Sequence, residues 1–281
     1  MCHSCNLFQC HEDIFRDHIV SGLAIEMKDL EWQSPSFERL PKSLFYPQNL
    51  PSILAVEELG LCPSMVVLDM CASPGGKTSH IAAKLENEGL VLAFDKNKNK
   101  VAKLTRTLEK YQVTCARVFV ADSTKLCAAD PNNGLNPESY TAGSFLLPNS
   151  FDRILLDPPC SGIGQRPSLR PEIMTKPTRA SFAVYQRKLL EVAVKLLRPG
   201  GRLVYSTCTL NPEENEANVA FAISRGLTLV SPHCTFGSPG LTVCGITMDE
   251  SFLVKRFWPT GNEDSIAFFF AIFEKPAHTI T

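Results

Sequence analysis

The chain has 281 residues, 44% hydrophobic and 20% charged, enough for a sizeable core, which excludes wholesale disorder, collagen and low-complexity scaffolds. Its 28 basic and 29 acidic residues leave a net charge of −1, so any site for a polyanion must be a local patch. No run approaches the roughly 18 apolar residues of a membrane span, and the start, Met1-Cys2-His3-Ser4-Cys5, has no export-signal pattern. Eleven scattered cysteines, an odd count, predict free thiols in a reducing compartment: a soluble protein of the cytoplasm, with the nucleus as second choice.

Residues 1–60 carry Pro35, Pro41, Pro47 and Pro51 and lack alternating elements, so they are expected to form an N-terminal extension packed on a sheet domain at 61–281. Cys2, His3, Cys5, Cys10 and His11 are zinc-ligand types, but their spacing matches no standard module and no metal is expected. From Met65 the pattern changes. Met65–Leu68 reads as a buried strand, Ser73-Pro74-Gly75-Gly76 as a turn, and Ile81 with Leu85 as a helix leaving at Gly89. Leu90–Phe94 is a second strand, and Val101, Leu104, Leu108 and Tyr111 mark the apolar face of a second helix. Val118–Val120 and Ile154–Leu156 are further strands, separated by a surface loop at 128–149 rich in Asn, Pro, Gly and Ser. Leu189, Val192 and Leu196 mark a helix that Pro199-Gly200-Gly201 should stop before the strand Leu203–Tyr205. Asn211-Pro212-Glu213-Glu214 has the cap, proline and glutamate of a helix start, with the exit near Gly226. Phe252–Val254 and Ala267–Phe273 predict an antiparallel pair at the end. The order predicts an α/β fold with a mostly parallel, doubly wound, Rossmann-like sheet and a C-terminal antiparallel strand.

Polar residues close these strands: Asp69 the first, Asp95 the second, Asp122 after the third, Asp157 the fourth, Thr207-Cys208 the fifth. Carboxyl ends of strands in an open α/β sheet lie together and bind ligands, although each Asp could instead cap the following helix. The turn Cys71-Ala72-Ser73-Pro74-Gly75-Gly76-Lys77-Thr78 misses a phosphate loop by one residue, with Cys71 where the first glycine belongs. Pro74 stiffens it and removes an N–H donor, which argues against a nucleotide triphosphatase. Asp95, about 20 residues past the glycines, suits ribose hydroxyls, and S-adenosylmethionine fits such a site.

Asp157-Pro158-Pro159-Cys160-Ser161-Gly162 and Ser206-Thr207-Cys208-Thr209 each place a thiol at this edge, Cys208 apparently just before a helix N-terminus that would favour thiolate. Carbon 5 of cytosine attacks a sulfonium methyl only after a thiolate adds at carbon 6, so covalent catalysis would explain thiols here. Either cysteine could be the nucleophile, and a second thiol or a carboxylate could assist release. Asp157 is placed to bond the polar edge of the ring.

These three segments, in this order, resemble the Nop/Sun-domain RNA (cytosine-5) methyltransferases over roughly residues 19–275. Cys160-Ser161-Gly162-Ile163-Gly164-Gln165-Arg166-Pro167 and the run Leu44–Ser52 are most similar to their tRNA-directed branch, which carries a PUA RNA-binding domain. The resemblance implies that Cys208 is the nucleophile and that Cys160 helps release product. It also implies that Cys71, Ala72, Ser73, Pro74, Gly75, Gly76, Lys77, Asp95, Asp122 and Asp157 contact S-adenosylmethionine, and that the partner is RNA, in particular tRNA. Only something like the final PUA strand is expected, around Ile19–Ile25, so most of that domain is expected to be missing. Pro158 replaces a small residue of the family pattern, with little expected harm. No obligate protein partner is legible and a monomer is expected. The alternatives are an RNA-binding remnant without activity and a phosphate-loop nucleotidase.

Between Arg153 and Arg202 lie ten basic residues (Arg153, Arg166, Arg170, Lys176, Arg179, Arg187, Lys188, Lys195, Arg198 and Arg202) against three acidic ones, a candidate phosphate-binding patch. The target base must leave its stack to reach a buried thiol, so single-stranded or terminal cytosines are the expected substrates.

Overall fold

The computed structural model describes residues 19–20, 24–25, 46–165, 176–260 and 265–277. Two units result, Met1–Tyr46 and Pro47–Thr281. In the first, β1 (Ile19–Val20) and β2 (Ala24–Ile25) pair antiparallel, Ile19 opposite Ile25. The run Ile19–Ile25 thus holds two paired strands instead of the single one expected. Cys2, His3, Cys5, Cys10 and His11 lie outside the described residues.

The second unit opens with α1 (Leu50–Glu57), a helix that the proline count of residues 1–60 concealed. Pro51 sits in its first turn, where a missing N–H breaks no helical bond, and Leu54, Ala55 and Val56 are buried. The elements expected next follow in order: β3 (Val66–Asp69), α2 (Gly76–Lys84), β4 (Leu90–Asp95), α3 (Lys98–Lys110) and β5 (Ala116–Val120). Asn97 caps α3, its side chain accepting from the amides of Asn99 and Lys100, and Leu104 and Leu108 form the buried stripe.

Residues 128–149 are more than a surface loop. β6 (Gly134–Leu135) pairs with β7 (Phe145–Leu146), and Tyr140 and Leu146 are fully buried. Arg117 donates to Glu138 O at 2.7 Å and Tyr140 O at 2.6 Å, and the Tyr140 ring packs edge-on against Phe94 and Phe119. One aromatic and one arginine tie a polar stretch to the core, which composition does not register.

β8 (Phe151–Leu156), α4 (Lys176–Leu196), β9 (Leu197–Thr207), α5 (Glu216–Ser224), β10 (Thr228–Val230), α6 (Met248–Phe252), β11 (Val254–Phe257) and β12 (Phe268–Glu274) complete the unit. Three boundaries differ from expectation. Pro199-Gly200-Gly201 does not separate helix from strand: β9 starts at Leu197, a register shift opposite Phe151–Arg153 absorbs the irregular residues, and Gly200 N donates to Lys275 O at 2.8 Å. The helix expected from Asn211 begins at Glu216: the Glu214 carboxylate turns inward to Ser161 N, Gln186 and the Asn211 side chain, and the Asn211 backbone N–H goes to Thr209 Oγ1 instead. Phe252 belongs to α6, which a Thr247–Glu250 capping box starts, so the strand begins only at Val254.

The sheet order is β12-β9-β8-β3-β4-β5, with β10 and β11 sharing the outer edge of β12. β3, β4, β5, β8 and β9 are parallel and β12 runs antiparallel to β9, giving the expected mostly parallel α/β sheet. Alternation sorts the core. Leu68, Phe269, Ala271 and Phe273 face α4 and α5, while Val67, Phe268, Phe270 and Ile272 face α1 and α2. Both faces are covered, so β12 is an unbroken apolar run, each buried phenylalanine contributing about 1.5–3 kcal/mol. Among the described residues no helix is long and apolar enough to cross a membrane.

Candidate functional site at the carboxyl edge of the sheet

Five parallel strands end side by side, and one row of side chains follows their order: Cys208, Asp157, Asp69, Asp95, Asp122. The chain winds from β3 out to β5, then returns to β8 and β9 on the other side, so winding reverses between β3 and β8. Ligands of open α/β sheets bind in the crevice at that reversal.

The Cys71–Lys77 turn fills the space between β3 and α2. Gly75 takes φ +108° at the helix cap, and a Cβ there would lie 2.9 Å from Leu104 Cδ1, so only glycine lets α2 start this close to α3. Gly76 opens the helix, Ala72 donates its amide to Phe94 O, Ser73 Oγ bonds Lys100 O and Pro74 is exposed. Lys77 leans across the strand ends, its Nζ 2.7 Å from Asp157 Oδ2 and 5.4 Å from the centre of the Phe268 ring. Burial opposes its charge, but Asp157 and then Asp69 outweigh burial and hold the ammonium above its ordinary range. Asp157 uses its other oxygen to accept from Ser206 Oγ at 2.8 Å.

Asp69 is buried beside this pair. Its Oδ2 accepts from Thr78 Oγ1 at 2.8 Å, while Oδ1 is buried with no hydrogen-bond partner among the described residues. Burial, only partly offset by Thr78 and reinforced by Asp157, pushes the carboxyl up to about 7. Because the folded value is raised, its contribution to stability is complete below the ordinary carboxylate range and is lost as pH rises through about 7. Asp69→Asn keeps the Thr78 bond and cannot ionise. Urea unfolding between pH 5 and 8 should therefore show the variant gaining on the native protein by up to roughly 1.4 kcal/mol per pH unit across that window. A pH-independent difference would contradict the buried, proton-holding carboxyl.

Of the remaining carboxylates only Asp122 caps the turn after it, accepting from Thr124 N at 3.1 Å and Thr124 Oγ1 at 2.8 Å. Against the effect of burial, those bonds and the charges of Lys96 and Lys125 hold it below the ordinary range. Asp95 accepts from Asn97 N at 2.9 Å and leaves the capping of α3 to Asn97. Tyr185 of α4 joins them, with Lys96 Nζ 4.5 Å from its ring centre; burial and then Asp122, Cys71 and Asp95 push its hydroxyl up to about 12. The Cys71 thiol, packed against the core, is raised by burial and by Asp69, Asp157 and Asp95, away from thiolate.

Cys160 and Cys208 meet at the β8–β9 end of the row, Sγ to Sγ 3.2 Å, both partly buried. The shared hydrogen bond with Cys160 lowers the Cys208 thiol; burial and Asp157 oppose it, and Lys77 assists. Cys160 moves the other way, raised by that same bond and by burial. The helix dipole expected to favour the Cys208 thiolate is not the source, since α5 starts eight residues later at Glu216. Gln165 Nε2 donates to Cys208 O at 3.1 Å and Leu210 N to Ile163 O at 3.0 Å, lacing the two cysteine loops together.

The basic stretch divides. Arg153 bonds Leu59 O, Arg202 bonds Glu58 O and Glu274, and Arg198 pairs with Asp152; Arg153 and Arg202 stand opposite each other in β8 and β9, away from the carboxyl edge. Arg187 bonds Asn218, whereas Lys188 and Lys195 are exposed on α4. The side chains of Arg166, Arg170, Lys176 and Arg179 lie outside the described residues. The sequence count thus merged fold-holding arginines with those that follow Cys160. Sequence reasoning also passed over Ser206, Thr78 and Tyr185, which the row of strand ends brings together with the expected residues.

Comparison with known proteins places this geometry. A tRNA (cytosine(72)-C(5))-methyltransferase NSUN6 of Mus musculus is 41% identical over 243 residues, 86% of this chain and 50% of that protein. The Homo sapiens protein of the same name is 39% identical over 282 residues, 91% of this chain and 59% of its own. The crystal structure of NSun6 from Pyrococcus horikoshii with SFG superposes with a TM-score of 0.72 at 38% identity, covering 86% of this chain and 56% of that one. The chain spans about half the length of the curated relatives it matches. The family model described as 16S rRNA methyltransferase RsmB/F matches residues 57–274, which takes in both cysteine loops, the glycine turn and all four carboxylates. On the strength of that match, the chain belongs to the RsmB/F methyltransferase family.

Proposed function

We propose that this chain is an S-adenosylmethionine-dependent RNA cytosine carbon-5 methyltransferase acting on tRNA, with Cys208 as nucleophile and Cys160 as its partner in product release. The observation that carries the reading is the pair of thiols 3.2 Å apart, one held toward thiolate, beside the Lys77–Asp157 ion pair at the crevice where ligands of such sheets bind.

The residues present fit the cofactor. Asp69 keeps a buried oxygen without a hydrogen-bond partner for a cationic group, and Asp95 and Asp122 stand at the next strand ends for ribose and adenine. Cys71, Ala72, Ser73, Pro74, Gly75, Gly76 and Lys77 supply the wall, and Asp157 closes it beside Cys208. S-adenosylmethionine, when bound, offers a sulfonium-activated methyl group.

The chain's own work is on the cytosine. The Cys208 thiolate adds to carbon 6, and the electrons of the 5,6 double bond move so that carbon 5 becomes nucleophilic. Lys77 and Asp157 present a donor and an acceptor to the polar edge of the ring. After carbon 5 is methylated, a base removes its proton, the 5,6 double bond reforms and Cys208 leaves as thiolate. The Cys160 S–H, 3.2 Å away, meets that departing thiolate with a hydrogen bond.

Incubating the protein with methyl-labelled S-adenosylmethionine and total small RNA, then sequencing the product, should give 5-methylcytosine in tRNA. No incorporation, or label only at other atoms or in other RNAs, would overturn the reading. Asp95→Ala should weaken S-adenosylmethionine binding by about 1.5–3 kcal/mol, the range for charge-assisted hydrogen bonds, read as a 10- to 150-fold rise in Kd by titration calorimetry. Unchanged affinity would remove Asp95 from the cofactor site.

A further inference from the structure

The loops bearing the two cysteines leave neighbouring strands and share one backbone bond, Leu210 N to Ile163 O at 3.0 Å. A buried polar cluster beneath them ties the loops together at the cysteines themselves. Glu214 is fully buried, and its Oε2 accepts from Ser161 N at 3.0 Å and from Gln186 Nε2 at 2.9 Å, while its Oε1 accepts from Asn211 Nδ2 at 3.0 Å. Gln186 Nε2 reaches Pro159 O as well, at 2.9 Å. The residues on either side of Cys160 are therefore tied to one carboxylate. The same carboxylate takes Asn211, three residues beyond Cys208, and Ser161 Oγ bonds Thr209 Oγ1 at 2.8 Å directly across the gap. From below, Tyr205 OH donates to Glu214 O at 2.6 Å and Asn218 Nδ2 does so at 3.0 Å, fixing the Glu214 backbone to β9 and α5.

We propose that Glu214 is a positioning residue, holding the Pro159–Ser161 turn against the Cys208–Asn211 loop so that the Cys160 S–H is directed at Cys208 Sγ. The inference rests on the proposed pairing of the two thiols, and adds the group that sets it. A carboxylate suits the place because it accepts three N–H bonds with no hydrogen of its own; an amide would turn one lone-pair site into a donor facing a donor. The charged groups around Cys208 are Asp157 at the end of β8 and Lys77 on α2, with Cys160 the remaining titratable neighbour. Glu214 touches none of these three, so it acts on Cys208 only through the placement of Cys160.

The test is the pH profile of Cys208 alkylation by iodoacetamide, resolved by peptide mass spectrometry on the full chain, which needs neither RNA nor cofactor. In Glu214→Gln the Cys208 midpoint should rise to that of Cys160→Ala, with thiolate at neutral pH about tenfold scarcer, while buried Cys115 stays as slow to react as in the native protein. Thr209→Val, which removes the hydroxyl that bridges to Ser161 and accepts from Asn211 N, should shift the midpoint in the same direction by a smaller amount and serves if Glu214→Gln fails to fold. A native-like Cys208 midpoint in either folded variant would overturn the proposal. So would a midpoint that moves only together with Cys115 exposure, the signature of a loosened core. Loss of methylation in Cys208→Ala is a separate readout, so failure of the nucleophile assignment and failure of the positioning role remain distinguishable.

Discussion

Cys208→Ala should lose all methyl transfer while binding S-adenosylmethionine almost as tightly as the native protein. The expected split follows from where the sulfur stands. It lies at the β9 end of the row, beyond Asp157, and its hydrogen-bonding partner is Cys160 rather than the glycine turn or the carboxylates at β4 and β5. Removing it takes away the proposed nucleophile and leaves Asp69, Asp95 and Asp122 untouched. Without addition at carbon 6, carbon 5 is too weak a nucleophile, and Cys160, whose thiol burial raises, stands on the other loop and does not take its place. Equilibrium binding and single-turnover methylation on the same preparation check both halves. Turnover persisting in the variant would overturn the assignment, and a large loss of cofactor affinity would show that the two subsites are not separate.

Cys160→Ala should have a different consequence, trapping rather than silencing the enzyme. Cys208 keeps Lys77 nearby and can still add, but the thiolate that must depart loses the donor 3.2 Å away. Multiple turnover should slow by about 10²–10⁴-fold, the range for losing a positioned proton donor, and a protein–RNA adduct stable to denaturing electrophoresis should build up. The loss should fall on turnover more than on the first methyl transferred. Normal turnover with no adduct would contradict a release role for Cys160. The lowered Cys208 value should also rise in this variant, since the Cys160 bond is its largest cause.

The parts of the fold that were legible are those in which local pattern and tertiary environment agree. The unbroken apolar run Ala267–Phe273 predicts a strand, and both of its faces are indeed covered. The four aspartates and Cys208 were legible as a row because strand order in such sheets aligns carboxyl ends whatever the loops do. What escaped depends on distant partners. α1 hides behind its proline count, and Tyr140 turns a loop of turn-forming residues into core by meeting Phe94 and Phe119. Glu214 reads as a capping residue three positions after Asn211, yet Ser161, 53 residues upstream, draws its carboxylate inward and delays the helix to Glu216. Arg256 and Glu216 form a buried two-pronged ion pair at 2.6 Å, and Arg256 also holds Leu210 O. Breaking such a pair costs about 3–5 kcal/mol, so the loop after Cys208 is secured by β11 through Arg256, 46 residues beyond Leu210. Arg153 and Arg202 count toward a basic patch in sequence, while in space they bond the Leu59 and Glu58 carbonyls, away from the carboxyl edge.

The central claim is chemical: sulfur of Cys208 bonds to carbon 6 of cytosine. RNA carrying 5-fluorocytosine at the target position stops the reaction after addition and methylation, because fluorine cannot leave as a proton does. Digesting the trapped complex and mapping the modified peptide by mass spectrometry should place the nucleotide on Cys208, with Cys160 unmodified. A nucleotide mapped to Cys160, or cofactor-dependent methylation of ordinary RNA with no trapped complex at all, would contradict it.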